Sequence, residues 1–502
     1  MAHPVTTDAL TPEIYAARIS EKSLYWTDSV FNSLSEDDRI AQLFMPVVAP
    51  SDSAYGMKNM LQFVTHNHVG GLLISKGNAA EYASMVNEAQ KLSKVPLLIA
   101  IDGEWGVSMR VSDAIRFPRN LTLGAISDDK LLFEYGQEVA RQCKLLGVNI
   151  DFAPVIDVNS NPDNPVIGDR AYGENPLNVT AKGVAFAKGL ESMGILSVAK
   201  HFPGHGSTSE DSHATLPVVD KSLAEINFVD LLPFKMYINS RLGGILTAHL
   251  NIPAWDTWQS ASSLSSAIVT DLLKKELNFD GIIFTDALTM KGAVTNNNSV
   301  CVEALRAGND ILLSPANISQ EIKAIKTALS EGILDSTSIN TRIKKVLNYK
   351  YLLGAVDFTP IDTVNIINRI NSASAENLKT KIYKAAVTIV KDPLHLIGNL
   401  SDKSHVIYIT SESQLHDKTV IDRLSTDSPI VVVAMINPYS LAKIAPILCK
   451  NNVSLIVTYN NNLQARKAAI DVIDGKLGAS GTLPVTITGL AKAGTGIKLN
   501  KR

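Results

Sequence analysis

The sequence predicts an α/β fold, a (β/α)8 TIM-type barrel followed by a smaller α/β sandwich domain, on three observations. Eight short apolar, β-branched runs recur between residues 43 and 315, amphipathic segments separate them, and a second series of apolar runs begins beyond residue 375. Uninterrupted apolar strands alternating with helices imply a parallel sheet covered by helices, and eight such repeats are what closes a sheet into a barrel.

The eight runs are LFMPVV (43–48), VGGLLIS (69–75), VPLLIAID (95–102), NIDFAPVIDV (149–158), ILSVAKHF (195–202), GGILTAHL (243–250), GIIFTDA (281–287) and DILLSP (310–315). Between them EYASMVNEAQKLS, LLFEYGQEVARQCKLLG, AKGVAFAKGLESMG and SSAIVTDLLKKEL space their apolar residues at helical intervals, and several end at glycine. The helical INTRIKKVLNYKYLLG (339–354) completes the barrel, assigned to residues 1–354 with an N-terminal extension. A polar stretch with Pro360 and several asparagines, 355–375, reads as a linker. AAVTIVKD, HVIYITSE, SPIVVVAMIN and VSLIVTYNN then supply the strands of the C-terminal sandwich, residues 376–502.

Composition narrows the function classes. At 502 residues the chain exceeds one ordinary domain, and with 19% charged residues and a formal net charge of −2 it offers no polyanion-binding surface, so nucleic acid is not an expected partner. Cys143, Cys301 and Cys449 are odd in number and far apart, which suggests neither a disulfide framework nor a zinc ribbon. No apolar run approaches the ~20 residues of a membrane span. Residues 1–24 lack a signal-peptide pattern, so the chain is read as cytoplasmic, or as periplasmic or cell-envelope if a leader has been removed.

Catalytic groups of such a barrel sit where strands end and βα loops begin. Asp102, Asp157, Lys200 with His201, His249 and Asp286 end the third to seventh runs. The fifth run opens KHFPGHGSTSEDSH (200–213), which admits two readings. A metal site from His201, His205, Asp211 and His213 would need the i, i+4 histidines on a helix, and Pro203, Gly204 and Gly206 oppose one; no metal and no cofactor is expected. In the acid/base reading His213 moves a proton near neutral pH and Asp211 orients its ring, against the plainer possibility that Asp211 only caps a turn. Asp286, delivered by GIIFTD, is the candidate carboxylate to attack a carbon or stabilise a cation, although an aspartate there also suits a helix N-cap. Asp102, Arg170, Lys200 and His201 add short polar groups suited to a ligand with many hydroxyls.

These residues resemble glycoside hydrolase family 3, in particular its β-N-acetylhexosaminidases. The similarity is carried by KHFPGHGSTSEDSHATLP (200–217), NPVIGDRAYG (164–173), LKKELNFDGIIFTDALTMKGA (273–293), TAHLNIPA (247–254) and EALRAGNDILLSP (303–315). The resemblance implies Asp286 as nucleophile, His213 as acid/base with Asp211 as its partner, and Asp102, Arg170, Lys200 and His201 as ligands of the terminal sugar. It implies a retaining exo-glycosidase that removes terminal β-linked N-acetylglucosamine or N-acetylhexosamine from an oligosaccharide such as a peptidoglycan or chitin fragment. A phosphorylase of the same glycosides, a β-glucosidase-type member and a non-catalytic sugar-binding protein are the alternatives. DGEWG (102–106) departs from the family at Trp105, where many members carry a second glycine.

Overall fold

The computed structural model describes residues 19–211, 215–256, 260–293 and 299–501. All eight predicted runs contain strands: β1 (Phe44–Met45) and β2 (Val47–Val48) in the first, then β3 (Gly71–Ile74), β4 (Leu98–Ile101), β5 (Ile150–Asp151), β6 (Leu196–Phe202), β7 (Gly244–Thr247), β8 (Ile282–Thr285) and β9 (Leu312–Leu313). Strands β2 to β8 form one parallel sheet in chain order. The ring closes because β1 pairs in parallel with β9, and Phe284 of β8 bridges Ile311 just before β9. The result is a TIM-like α/β barrel whose interior is packed with side chains; Phe152 and Phe284 meet edge to face across it at 5.1 Å.

Helices cover the outside. Among them are Ala79–Leu92, Asp129–Leu145, Pro176–Ser192 and Ser336–Leu352, each starting on a side-chain cap: Asn78, Asp128, Asn175 and Asp335 accept from backbone N–H groups one turn in. Gly147, Gly194 and Gly354 follow three of these helices at φ of 70°, 78° and 70°, a conformation glycine adopts without a Cβ clash.

The structure differs from the predicted pattern in the fourth run. NIDFAPVIDV reads as one strand over 149–158, yet β5 covers only two residues, because Pro154 has no N–H to continue a ladder and the pairing resumes at Val155, which bridges Lys200. The bend carries Asp157 away from the ladder and under the mouth of the barrel.

Residues 355–375, read as a linker, are strapped to the barrel. Asn87 exchanges hydrogen bonds with the backbone of Ile361 (2.9 and 2.7 Å), and Arg141 donates to the carbonyls of Arg369 and Ile370 (2.8 and 2.9 Å). Beyond them β10 (Thr388–Lys391), β11 (His405–Ile409), β12 (Ile430–Ala434) and β13 (Val453–Val457) form a second sheet in the order β10-β13-β12-β11, with β10 antiparallel to its neighbour. Among the described residues no helix is long and apolar enough to cross a membrane.

Candidate active site

Barrel strand ends converge on a cavity of about 420 Å3 lined by Asp102, Arg110, Phe152, Lys200, His201 and Asp286, with Leu246, Met290 and Ser314 in its wall. Asp286 is the residue after β8. Its backbone N–H donates to the Thr247 carbonyl (2.9 Å), and its Oδ1 accepts from the Ala287 N–H (2.8 Å), so the carboxylate is held at the start of the turn. Burial alone would push its pKa up; His249, His201, the Ala287 N–H and Lys200 overcome that and hold it below the ordinary 3.8.

The opposite wall is a charge network. Asp102 accepts from Lys200 Nζ at 2.8 Å and from Arg110 Nη2 at 2.7 Å. Lys200 Nζ also lies 2.8 Å from Glu104 Oε1, and Arg170 grips Glu104 with both Nη2 (2.7 Å) and Nε (2.9 Å). Asp102 keeps 19% of its side chain exposed and Glu104 only 1%, so Asp102 reaches the cavity and Glu104 lies beneath it. Burial opposes ionisation of both carboxyls, but Lys200 with Arg110 depresses Asp102, and Lys200 with Arg170 depresses Glu104 well below the usual range. Asp102, Glu104 and Asp286 thus stand against Arg110, Lys200 and Arg170. A wall whose charges are already matched suits a neutral ligand that both donates and accepts, as a sugar hydroxyl does.

Below this layer Asp157 organises the KHFPGH segment. Its carboxylate accepts from His201 Nδ1 (2.7 Å), from the His201 N–H (3.1 Å) and from the His205 N–H (2.7 Å). Arg170 Nη2 lies 3.2 Å from His201 Nε2. His205 is buried, with Nδ1 2.7 Å from Thr208 Oγ1, and burial lowers its pKa to about 4. Its contacts hold the turn. Residues 201–205 form a strand end and a turn, so the helical spacing that a two-histidine metal site would need does not occur. His249 sits behind Asp286: Nε2 reaches the Ala287 carbonyl at 3.1 Å, an acceptor, so that nitrogen donates and Nδ1 accepts from Ser263 Oγ at 2.6 Å.

Of the residues singled out from sequence, Asp102, Lys200, His201 and Asp286 line the cavity. Arg170 is not among the residues lining the cavity; it is bound to Glu104, lies 3.2 Å from His201 and keeps 20% of its side chain exposed. Asp211 lies on an exposed loop, its carbonyl accepting from the Thr215 N–H at 3.0 Å, and His213 lies outside the described residues. Sequence reasoning missed Glu104 and Arg110, and noted Asp157 and His249 only as strand ends. The available signal was DGEWGVSMR itself, in which two charged residues follow Asp102 on one loop. Trp105 is not among the residues lining the cavity; Arg119 covers its ring at 4.8 Å and is paired with Asp169 at 2.7 Å.

Residues 35–349 match the glycosyl hydrolase family 3 N-terminal domain. The chain is 33% identical over 386 residues to beta-hexosaminidase A of Pseudoalteromonas piscicida, a match that takes in 69% of this chain and spans 63% of that relative's length. A solved family 3 beta-N-acetylglucosaminidase from Paenibacillus sp. str. FPU-7 superposes with a TM-score of 0.75 at 25% identity, covering 91% of this chain and all of that one (100%). A beta-glucoside phosphorylase superposes with a TM-score of 0.80 over 96% of this chain and 99% of its own; at 21% identity it shares the fold.

Proposed function

Because the chain belongs to glycosyl hydrolase family 3, we propose that it is a retaining exo-glycosidase releasing terminal non-reducing β-linked N-acetylglucosamine, or a related N-acetylhexosamine, from oligosaccharides such as peptidoglycan or chitin fragments. The observation that carries this reading is Asp286, an ionised carboxylate fixed by backbone bonds in a cavity whose other charges are matched. The hexosaminidase names of the similar proteins support the choice of sugar. In this reading Asp286 attacks the anomeric carbon while His213, oriented by Asp211, protonates the departing oxygen. The glycosyl–Asp286 ester is then hydrolysed by a water that gives its proton to His213. A histidine in that place avoids the repulsion that a second carboxylate would feel beside the nucleophile.

Asp102, Arg170, Lys200 and His201 are proposed to bind the sugar hydroxyls, with Arg110. The division into a barrel at 1–354, a connector at 355–375 and an accessory domain at 376–502 belongs to the same proposal. Hydrolysis is favoured over phosphorolysis because Arg110, Lys200 and Arg170 are engaged by carboxylates, which leaves an entering phosphate dianion to displace an existing pair. The reading is tested by Asp286→Asn and by the products. The variant is expected to lose at least about 10³-fold in kcat while still binding N-acetylglucosamine, and the wild type to release the β-anomer first and no sugar 1-phosphate in phosphate buffer. Near-normal turnover by the variant, or an α-anomer first, overturns it.

A further inference from the structure

Behind the sugar-facing loop lies a buried acid that the proposed chemistry does not use. Asp151, the last residue of β5, is completely buried, and its Oδ1 accepts from the Gly103 N–H at 2.8 Å. The carboxylate is pressed against that loop: a Cβ added to Gly103 would lie 2.9 Å from both Asp151 oxygens. This close approach explains the glycine between Asp102 and Glu104. The second oxygen, Oδ2, has no hydrogen-bond partner among the described residues, nor do the buried hydroxyls of Tyr135 and Tyr172, whose titration senses Asp151. Tyr135 supports the same loop further on, since a Cβ on Gly106 would lie 3.3 Å from its hydroxyl.

We propose that Asp151 is a positioning residue that sets the loop 102–106, and through it the sugar-binding Asp102 and its neighbour Glu104, by holding the Gly103 N–H. The inference rests on the reading of Asp102 as a sugar ligand. Gly103 is the peptide unit between the two carboxylates that grip Lys200, so a shift of its N–H moves both ends of that grip. The charged groups that bear on Asp151 are Lys200 on the neighbouring β6 and the loop's own Asp102 and Glu104. Burial outweighs the Gly103 bond and Lys200 and raises its pKa from 3.8 to about 7, so both the protonated and the ionised forms are populated near neutral pH. In either form Oδ1 accepts from the Gly103 N–H, and the amide oxygen of an asparagine can do the same.

The test compares Asp151→Asn, Asp151→Ala and Gly103→Ala in the full chain by steady-state hydrolysis of p-nitrophenyl N-acetyl-β-glucosaminide and by hydrogen exchange of the peptide containing residues 102–110. Asp151→Ala and Gly103→Ala are expected to raise KM by about 10-fold, roughly the worth of one hydrogen bond, with kcat changed by less than about 3-fold and exchange in the loop accelerated. Asp151→Asn is expected to keep KM within about 2-fold of the wild type and to retain loop protection. A lowered Tm with unchanged KM and unchanged loop exchange in Asp151→Ala overturns the proposal, and so does an asparagine variant as impaired as the alanine one. If Asp151→Ala does not fold, Gly103→Ala decides by the same two readouts. Hydrogen exchange is independent of turnover, so a wild type that hydrolyses no aryl glycoside defeats the proposed function while the loop result still judges the role of Asp151.

Discussion

Glu104 is the residue on which most of the cavity's charge converges, and it is almost wholly buried. Glu104→Gln would leave Arg170 and Lys200 facing a neutral amide, and breaking a buried pair from one side costs about 3–5 kcal/mol. We expect a fall in Tm of several degrees together with a raised KM for the aryl glycoside; an unchanged Tm by calorimetry would contradict the network. The same depressed carboxyls set the acid limit. Asp102, Glu104, Asp157 and Asp286 all have folded pKa values below their unfolded ones, so each contributes stability that is fully present above the unfolded pKa and is lost as pH falls through the folded value. Thermal stability is therefore expected to hold from neutrality to about pH 5 and to fall progressively below pH 4. At His213 the prediction is kinetic: His213→Ala should slow substrates with poor leaving groups far more than activated aryl glycosides, and equal losses on both would contradict its acid role. Asp102, Lys200, His201 and Asp286 were legible because each ends an apolar run. Glu104 and Arg110 were not, since neither ends a strand and Glu104 meets Arg170 across 66 positions of sequence.

At the scale of elements, the barrel strands were readable because a strand buried on both faces must be apolar throughout, and every residue of β3, β4 and β6 is buried. The bend after β5 was hidden inside an equally apolar run. Pro154 was its only mark. The 355–375 segment reads as a linker from its polar residues, and its backbone is tied to the barrel helices through Asn87 and Arg141. Helix Ser336–Leu352 carries a further consequence in Lys350, which is fully buried with Gln42 Oε1 at 2.5 Å as its hydrogen-bond partner. Burial lowers its pKa from 10.5 to about 7, so the folded state binds the proton less tightly than the unfolded chain, and this contribution to stability rises with pH between those values. Lys350→Met is accordingly expected to stabilise the protein more at pH 6 than at pH 10, by a difference on the order of 4 kcal/mol. Equal effects at the two pH values in denaturant titrations would show that Lys350 does not titrate in the fold.

In the whole molecule the C-terminal sheet is fastened to the barrel by polar contacts near its mouth. Glu174 accepts from Thr486 N–H (2.9 Å) and from its hydroxyl (2.5 Å), Asn460 donates to Thr122 (2.6 Å), and Asn159, two residues beyond Asp157, donates to the Tyr439 hydroxyl (2.9 Å). Tyr439→Phe would leave a buried amide without that acceptor, at a cost of about 1–3 kcal/mol. If the sheet steadies the site through Asn159, KM rises with the fall in Tm; a lower Tm alone would confine its role to stability. The two runs of strands were apparent in the sequence, but these cross-contacts were not, because single polar residues in loops carry no periodic signal. The account as a whole stands on one comparison, the kcat/KM of the unmodified protein for p-nitrophenyl N-acetyl-β-glucosaminide against the corresponding β-glucoside. It predicts a preference for the acetamido sugar of at least about 10-fold, the equivalent of a single well-made contact to the substituent. Preference for the glucoside, or no release of p-nitrophenol from either, would contradict it.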